Sequence, residues 1–325
     1  MDISTTYMGL TLESPVIVGS SGLTDSVEKL KKIEEAGAGA AVLKSIFEEE
    51  IAYEYNDIIK DVSLTSGYNL EQFDYLDMQL RGKKLFAYLD LIKQAKAGVS
   101  MPVIASVNCV YSHEWASFAK QIADAGADAL ELNMFFALTD FEREGSELEK
   151  VYFQIVEKLL KTVTIPVSLK ISYYFSNLGR MIQRLSETGV SGIVLFNRFF
   201  SPDIDTDKLE VKPSFVFSSP SDIAISLKWM AIMSQRVKCD LAASTGVHDA
   251  QGVIKHILAG AQAVQMVSTL YKNKTPYLKT VIQDIRNWME THGFNSLADF
   301  RGKLSQAEAQ NPAVYDRLQF MKYYS

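Results

Sequence analysis

Residues 240–271 read DLAASTGVHDAQGVIKHILAGAQAVQMVSTLY. An apolar run closes on Ser244, Thr245 and Gly246. Ala250, Val253, Ile254, Ile257 and Leu258 then recur at helical spacing, and a second apolar run ends at Ser268. Strand, helix, strand within about thirty residues means two parallel strands joined by a crossover helix. Both strands therefore bring their small polar ends to one edge of a sheet. Backbone N–H groups in a Gly/Ser/Thr turn there can point at an anion, and a short helix beginning at that point adds its positive end. The stretch suits a phosphorylated cofactor, although small residues after a parallel strand also serve simply to turn the chain.

The same grammar occurs four times. EAGAGAAVLKS (35–45), DAGADALELN (124–133), ETGVSGIVLFN (187–197) and LAGAQAVQMVS (258–268) each write a helix end, a glycine, a buried apolar run and a terminal polar residue. Runs at VIVGSSG (16–22), MPVIASVN (101–108), IPVSLKIS (165–172) and DLAAST (240–245) interleave with them, which makes eight strands separated by helices. Eight such units predict closure into a (β/α)8 TIM barrel in preference to an open doubly wound sheet. TTYMG and LTLES around Gly9 predict an N-terminal hairpin. Two segments interrupt the rhythm, Glu48 to Leu85 after strand two and Arg198 to Ser221 after strand six. Both leave the strand C-termini, so they read as lids over a site and not as separate domains.

Length alone allows two domains, but the repeated grammar makes residues 1–325 one barrel domain. Hydrophobic content of 47% beside 22% charged residues is that of an ordinary globular protein able to bury a large core. A formal charge of −6 argues against nucleic acid or an anionic membrane as partner. No run approaches a membrane-spanning length, and two cysteines without CxxC spacing fit a reducing cytoplasm. His113, His248, His256 and His292 lack metal-ligand spacing and read as surface or helix residues.

The strand ends would present Ser20 and Ser21, Lys44, Asn108, Asn133, Lys170, Asn197, Ser244 with Thr245, and Ser268 to one rim. Lysines at the ends of buried strands are costly unless something anionic or electron-rich meets them. Asparagines, which donate and accept at once, suit the edge of a planar heterocycle carrying carbonyl and imide groups.

These residues, in this order and spacing over nearly the whole chain, resemble the dihydroorotate dehydrogenases, FMN-dependent (β/α)8 barrels of pyrimidine synthesis. The close, GFNSLADFRGKL (293–304), is similar to the class 1 enzymes. The resemblance implies FMN as cofactor. Ser20, Ser21 and Gly22 would line the flavin face and edge, and Lys44 and Ser45 would touch the ring system. Asn108, Asn133 and Asn197 would contact flavin or substrate. Lys170 would stand at the pyrimidine end, where positive charge favours the reduced ring. Thr245, Gly246, Ser268 and Thr269 would hold the phosphate. Substrate contacts would fall to Asn69, Asn133, Asn197 and Arg198. It further implies a small-molecule substrate and a homodimer.

The departures are chemical. The family's catalytic base, Cys or Ser three residues after the strand-four asparagine, is here Phe136. The asparagine-rich loop after strand two has become TSGYNLEQ (65–72), with Asn69 its remnant; Arg198 stands where a Ser or Thr is usual, and Val267 replaces a phosphate-site glycine. The cofactor half is therefore expected to be better kept than the substrate half. Three readings stand: an FMN oxidoreductase with weak or altered activity on dihydroorotate, a flavin-binding protein without turnover, and a Schiff-base aldolase using Lys170. Arg198 is expected to pair with an anionic group on the substrate.

Overall fold

Met8 and Gly9 both take positive φ, 55° and 76°, which makes the tight turn between antiparallel strands Thr5–Tyr7 (β1) and Leu10–Leu12 (β2). The computed structural model describes residues 1–47, 70–108, 115–134, 141–198, 201–214 and 216–316. After the hairpin come Val16–Val18 (β3), helix Val27–Glu35 (α1), Ala40–Val42 (β4) and Ile46–Phe47 (β5). Helix Leu70–Gly98 (α2), Val103–Asn108 (β6), Trp115–Asp124 (α3), Ala129–Asn133 (β7), Gly145–Leu160 (α4) and Val167–Ile171 (β8) follow. Leu178–Ser186 (α5), Gly192–Leu195 (β9), Ser201–Asp205 (β10), Glu210–Ser214 (β11), Ile223–Met233 (α6), Asp240–Ala243 (β12), Ala250–Ala259 (α7) and Ala263–Met266 (β13) complete the alternation. Short helix Ser268–Asn273 (α8) and Tyr277–Thr291 (α9) then close it.

Eight strands pair in the circular order β3, β4, β6, β7, β8, β9, β12, β13, every pairing parallel and β13 returning to β3. This is the closed barrel expected from the sequence, with helices outside it. The repeated glycine has a backbone cause: Gly37, Gly126, Gly189 and Gly260 end their helices with φ between 91° and 115°, a left-handed region that a Cβ disfavours.

Strand alternation divides the interior into layers. The lower layer is apolar and small, with Ile17, Ala40, Val42, Ile104, Ala129, Val194, Ala242 and Ala263 packed on Tyr7, Met8 and Leu12 of the hairpin. The hairpin thus plugs the barrel floor. Further along the same strands the interior turns polar, with Ser106, Glu131, Asn133, Ser168, Lys170 and Gln265 all buried.

The insertion after strand six is present as the antiparallel pair β10–β11, and its tip exposes Ile204, Leu209 and Val211. Of the segment Glu48 to Leu85, residues 48–69 lie outside the described residues; the rest is the first half of α2, whose later turns bury Leu85, Tyr88, Ile92 and Ala95. β5, paired with the end of β6, is a strand the sequence reading did not anticipate. Among the described residues no helix is long and apolar enough to cross a membrane, and no His/Cys/Asp/Glu group could hold a metal ion.

His256 shows why. It is fully buried on α7, with Nδ1 2.9 Å from the Gly252 carbonyl and Nε2 3.0 Å from Ser226 Oγ. Burial pushes its pKa from 6.5 down to about 4. Between these values the unfolded chain binds the extra proton, so this contribution is present at neutral pH and is lost as pH falls. His256→Gln should reduce the change in urea-unfolding free energy between pH 7 and pH 4 by about 3 kcal/mol. An unaltered pH profile would show that the imidazole is not held neutral.

Candidate active site at the barrel mouth

The polar layer forms two connected clusters. In the first, Ser20 Oγ lies 2.9 Å from Ser45 Oγ and accepts the Ser45 backbone N–H at 2.9 Å; Ser45 Oγ is 2.7 Å from Ser106 Oγ. Asn133 Nδ2 donates to Ser45 and Ser106 at 3.0 and 2.9 Å, which leaves the Asn133 carbonyl oxygen outside these bonds. Asn108 is half-buried, and its Oδ1 has no hydrogen-bond partner among the described residues. A buried acceptor of this kind is uncommon unless a ligand completes it.

In the second cluster Lys170 Nζ donates to Gln265 Oε1 at 2.6 Å and stands 3.5 Å from Glu131 Oε1. Gln265 Nε2 donates in turn to Glu131 Oε2 at 2.5 Å. Neither Glu131 nor Gln265 was singled out from the sequence. The signal lay in strand parity, since Glu131 is two residues before Asn133 on β7 and must share its inward face.

Above these clusters a cavity of about 260 Å3 is lined by Ser20, Lys170, Asn197, Arg198, Ser218, Ser244, Thr245, Gly246 and Ser268, among others. A second, of about 480 Å3, shares Asn197, Arg198, Ser244 and Thr245 with it and continues between Tyr173, Phe196 and Ile225. Eight of the residues singled out from the sequence, all of those named for the first cavity except Ser218, therefore border one hollow at the strand C-termini. Asn108 and Asn133 end β6 and β7 at the same mouth, and Ser45 lies just before β5.

Others sit differently. Lys44 is exposed, so the cost argument for a buried strand-end lysine holds for Lys170 alone. Ser21 is bonded within its own turn, donating to the Gly19 carbonyl and accepting from Leu23 N, and the Gly22 carbonyl accepts from Lys29. Thr269 is fully buried, its hydroxyl donating to the His248 carbonyl at 3.0 Å. Arg198 donates to the Val216 and Phe217 carbonyls at 2.8 and 3.2 Å and lies 3.8 Å from Asp222, so it ties down the returning arm of the insertion. Asn69 and Phe136 lie outside the described residues.

At the end expected to hold phosphate, Thr245 and Gly246 have φ of 77° and 79°. Positive φ at a β-branched residue is strained, and such strain concentrates at functional turns. The returning arm borders this turn: Ser218 N donates to Ser268 Oγ at 3.0 Å, and Lys272 Nζ donates to the Ser218 carbonyl at 3.1 Å. Ser218 Oγ is 3.0 Å from His248 Nε2, whose pKa is lowered by burial and by Lys272. Val267 is accommodated because Gly19 faces it: a Cβ on Gly19 would lie 2.9 Å from Val267 Cγ2.

The sequence profile described as dihydroorotate dehydrogenase matches residues 2–289. The chain belongs to the dihydroorotate dehydrogenase family. It is 24% identical over 312 residues to "Dihydroorotate dehydrogenase B (NAD(+)), catalytic subunit" of Thermoplasma volcanium, covering 93% of this chain and 98% of that one. A protein of the same description from Pyrococcus furiosus is 26% identical over 310 residues, 93% of this chain and 98% of its own. "Dihydroorotate dehydrogenase A (fumarate)" of Lactococcus lactis subsp. lactis is 23% identical over 321 residues, with 93% and 99% covered.

Gly246 carries the sharpest steric demand here. A Cβ at this position would stand 2.2 Å from Ile223 N and 2.6 Å from the Asp222 carbonyl carbon, both backbone atoms. Gly246→Ala should lower the unfolding free energy by more than about 2 kcal/mol, read from urea denaturation. A loss of a few tenths would show that α6 can move away from the turn.

Proposed function

We propose that this chain is an FMN-dependent oxidoreductase acting on CH–CH bonds of a small substrate, with dihydroorotate itself turned over slowly. The observation that carries the reading is Lys170: a buried lysine, held by Gln265 and Glu131, that reaches the floor of the mouth beside the Thr245–Gly246 turn. The donor set fits the group. Lys170 offers positive charge to the electron-rich edge of the ring, and Asn108 Oδ1 is an acceptor still to be met. Asn133 and Asn197 offer both donor and acceptor atoms. Backbone N–H groups of the Gly246 turn, with Ser268 Oγ, would take the phosphate. FMN supplies the hydride acceptor when bound.

What the chain does not supply by sequence is a base. A proton must leave the carbon adjacent to the one that loses hydride, and a base must reach it at about 3 Å. Phe136 has no lone pair. General-base assistance is worth about 10²–10⁴ in rate. Tyr111, His113, Thr139 and Cys109 are the nearby candidates for a replacement, and they too lie outside the described residues.

The second reading, flavin binding without turnover, draws on the same Phe136 and on Arg198, whose guanidinium serves two backbone carbonyls and Asp222. That engagement runs against a free fork for a substrate carboxylate. A Schiff-base lysine needs its lone pair aimed at a carbonyl carbon, whereas Lys170 acts as donor to Gln265.

Anaerobic mixing of FMN-loaded protein with dihydroorotate tests the proposal. Bleaching of the flavin band should be slow in wild type and about 10²–10⁴ faster in Phe136→Cys. Bleaching within a second in wild type would mean that another residue serves as base; no bleaching in either protein favours the second reading.

A further inference from the structure

Glu131 and Gln265 approach each other within the barrel from β7 and β13, with 0% and 2% of their surfaces exposed. The layer beneath them is filled with alanine, valine and isoleucine, so the fold can close its interior with apolar side chains. A buried ion pair is in itself a poor device for stability, because removing both charges from water offsets their attraction. What the trio does determine is direction. Lys170 has three N–H donors. One is given to Gln265 Oε1 at 2.6 Å; the ammonium also stands 3.5 Å from Glu131 Oε1, an ion-pair contact without a hydrogen bond, and the lysine lines the mouth. Gln265 is oriented by its two neighbours, its carbonyl end accepting from the lysine and its amide end donating to the carboxylate at 2.5 Å. An apolar residue at 265 would leave Lys170 free to swing, and a neutral one at 131 would leave its charge without a counterion.

We infer that Glu131 and Gln265 are positioning residues that fix the direction and balance the charge of the Lys170 ammonium, which would meet the electron-rich edge of the flavin. The inference rests on the FMN reading above for what Lys170 faces, and on the geometry alone for what holds it. Glu131 and Gln265 act through Lys170, so their removal should matter to the cofactor only while Lys170 is present.

The full-length chain is compared with Glu131→Gln, Gln265→Leu, Lys170→Met and the two double variants that carry Lys170→Met. Glu131→Gln keeps shape and removes charge; Gln265→Met replaces Gln265→Leu should the latter fail to fold. The first readout needs no flavin: acylation of Lys170 by acetic anhydride, followed by mass spectrometry against exposed Lys44. Both single variants should speed acylation of Lys170 about tenfold and leave Lys44 unchanged. The second is the FMN dissociation constant from fluorescence quenching. Each single variant should weaken binding about tenfold, and in the Lys170→Met background neither should weaken it further. Unchanged Lys170 acylation overturns the inference, as does an equal loss of FMN affinity with and without Lys170, which would mark a merely structural role. A wild type that binds no FMN but shows the expected acylation pattern overturns the functional reading; the hold on Lys170 then stands and its role toward a flavin does not.

Discussion

The structure turns on a buried cation. Lys170 is a strand residue of a closed parallel barrel with 7% of its surface exposed, and a lone charge there would cost several kcal/mol. The barrel meets that cost from its own walls, with Glu131 from β7 and Gln265 from β13, so three of eight strands are committed to one side chain. Because alternate residues face inward, this polar layer fixes the parity of those strands, and the layer below must be dry. The hairpin plug of Tyr7, Met8 and Leu12 makes it so. Water is kept from the floor of the barrel, and the gradient from apolar floor to polar mouth follows from where the lysine sits.

Much of this was legible in the sequence, for identifiable reasons. Strands buried on both faces read as unbroken apolar runs, and a repeated helix-end glycine carries a backbone requirement, as at Gly37 and Gly260. The ends of those runs named the mouth residues Lys170, Asn197, Thr245 and Ser268. Glu131 escaped notice because a single polar residue inside ALELN looks like noise until it is paired with Gln265, 134 positions away. Lys44 was misjudged for the opposite reason. A lysine at a strand end looks buried on paper, but it is Ser45 that joins the interior, through Ser20 and Ser106, and Lys44 is exposed.

The departures from the family pattern divide by where they fall. Val267 is absorbed by the missing side chain of Gly19, a local steric exchange that leaves the turn at Ser268 in place. Arg198 is given over to the insertion arm, which in turn sets Ser218 against Ser268 and His248. The first change thus falls at the turn proposed for the phosphate and is accommodated in place, and the second falls in the insertion arm. Such a division is expected when the electron chemistry belongs to a cofactor and substrate choice belongs to loops.

On the reading proposed here the mouth holds a flavin phosphate, with Lys170 at the electron-rich edge of the ring. Equilibrium dialysis of the full chain against FMN and against riboflavin, which lacks the phosphate, measures this directly. One FMN should bind per chain, and riboflavin should bind at least about tenfold more weakly. Equal affinity for the two, or no saturable binding of either, would contradict it.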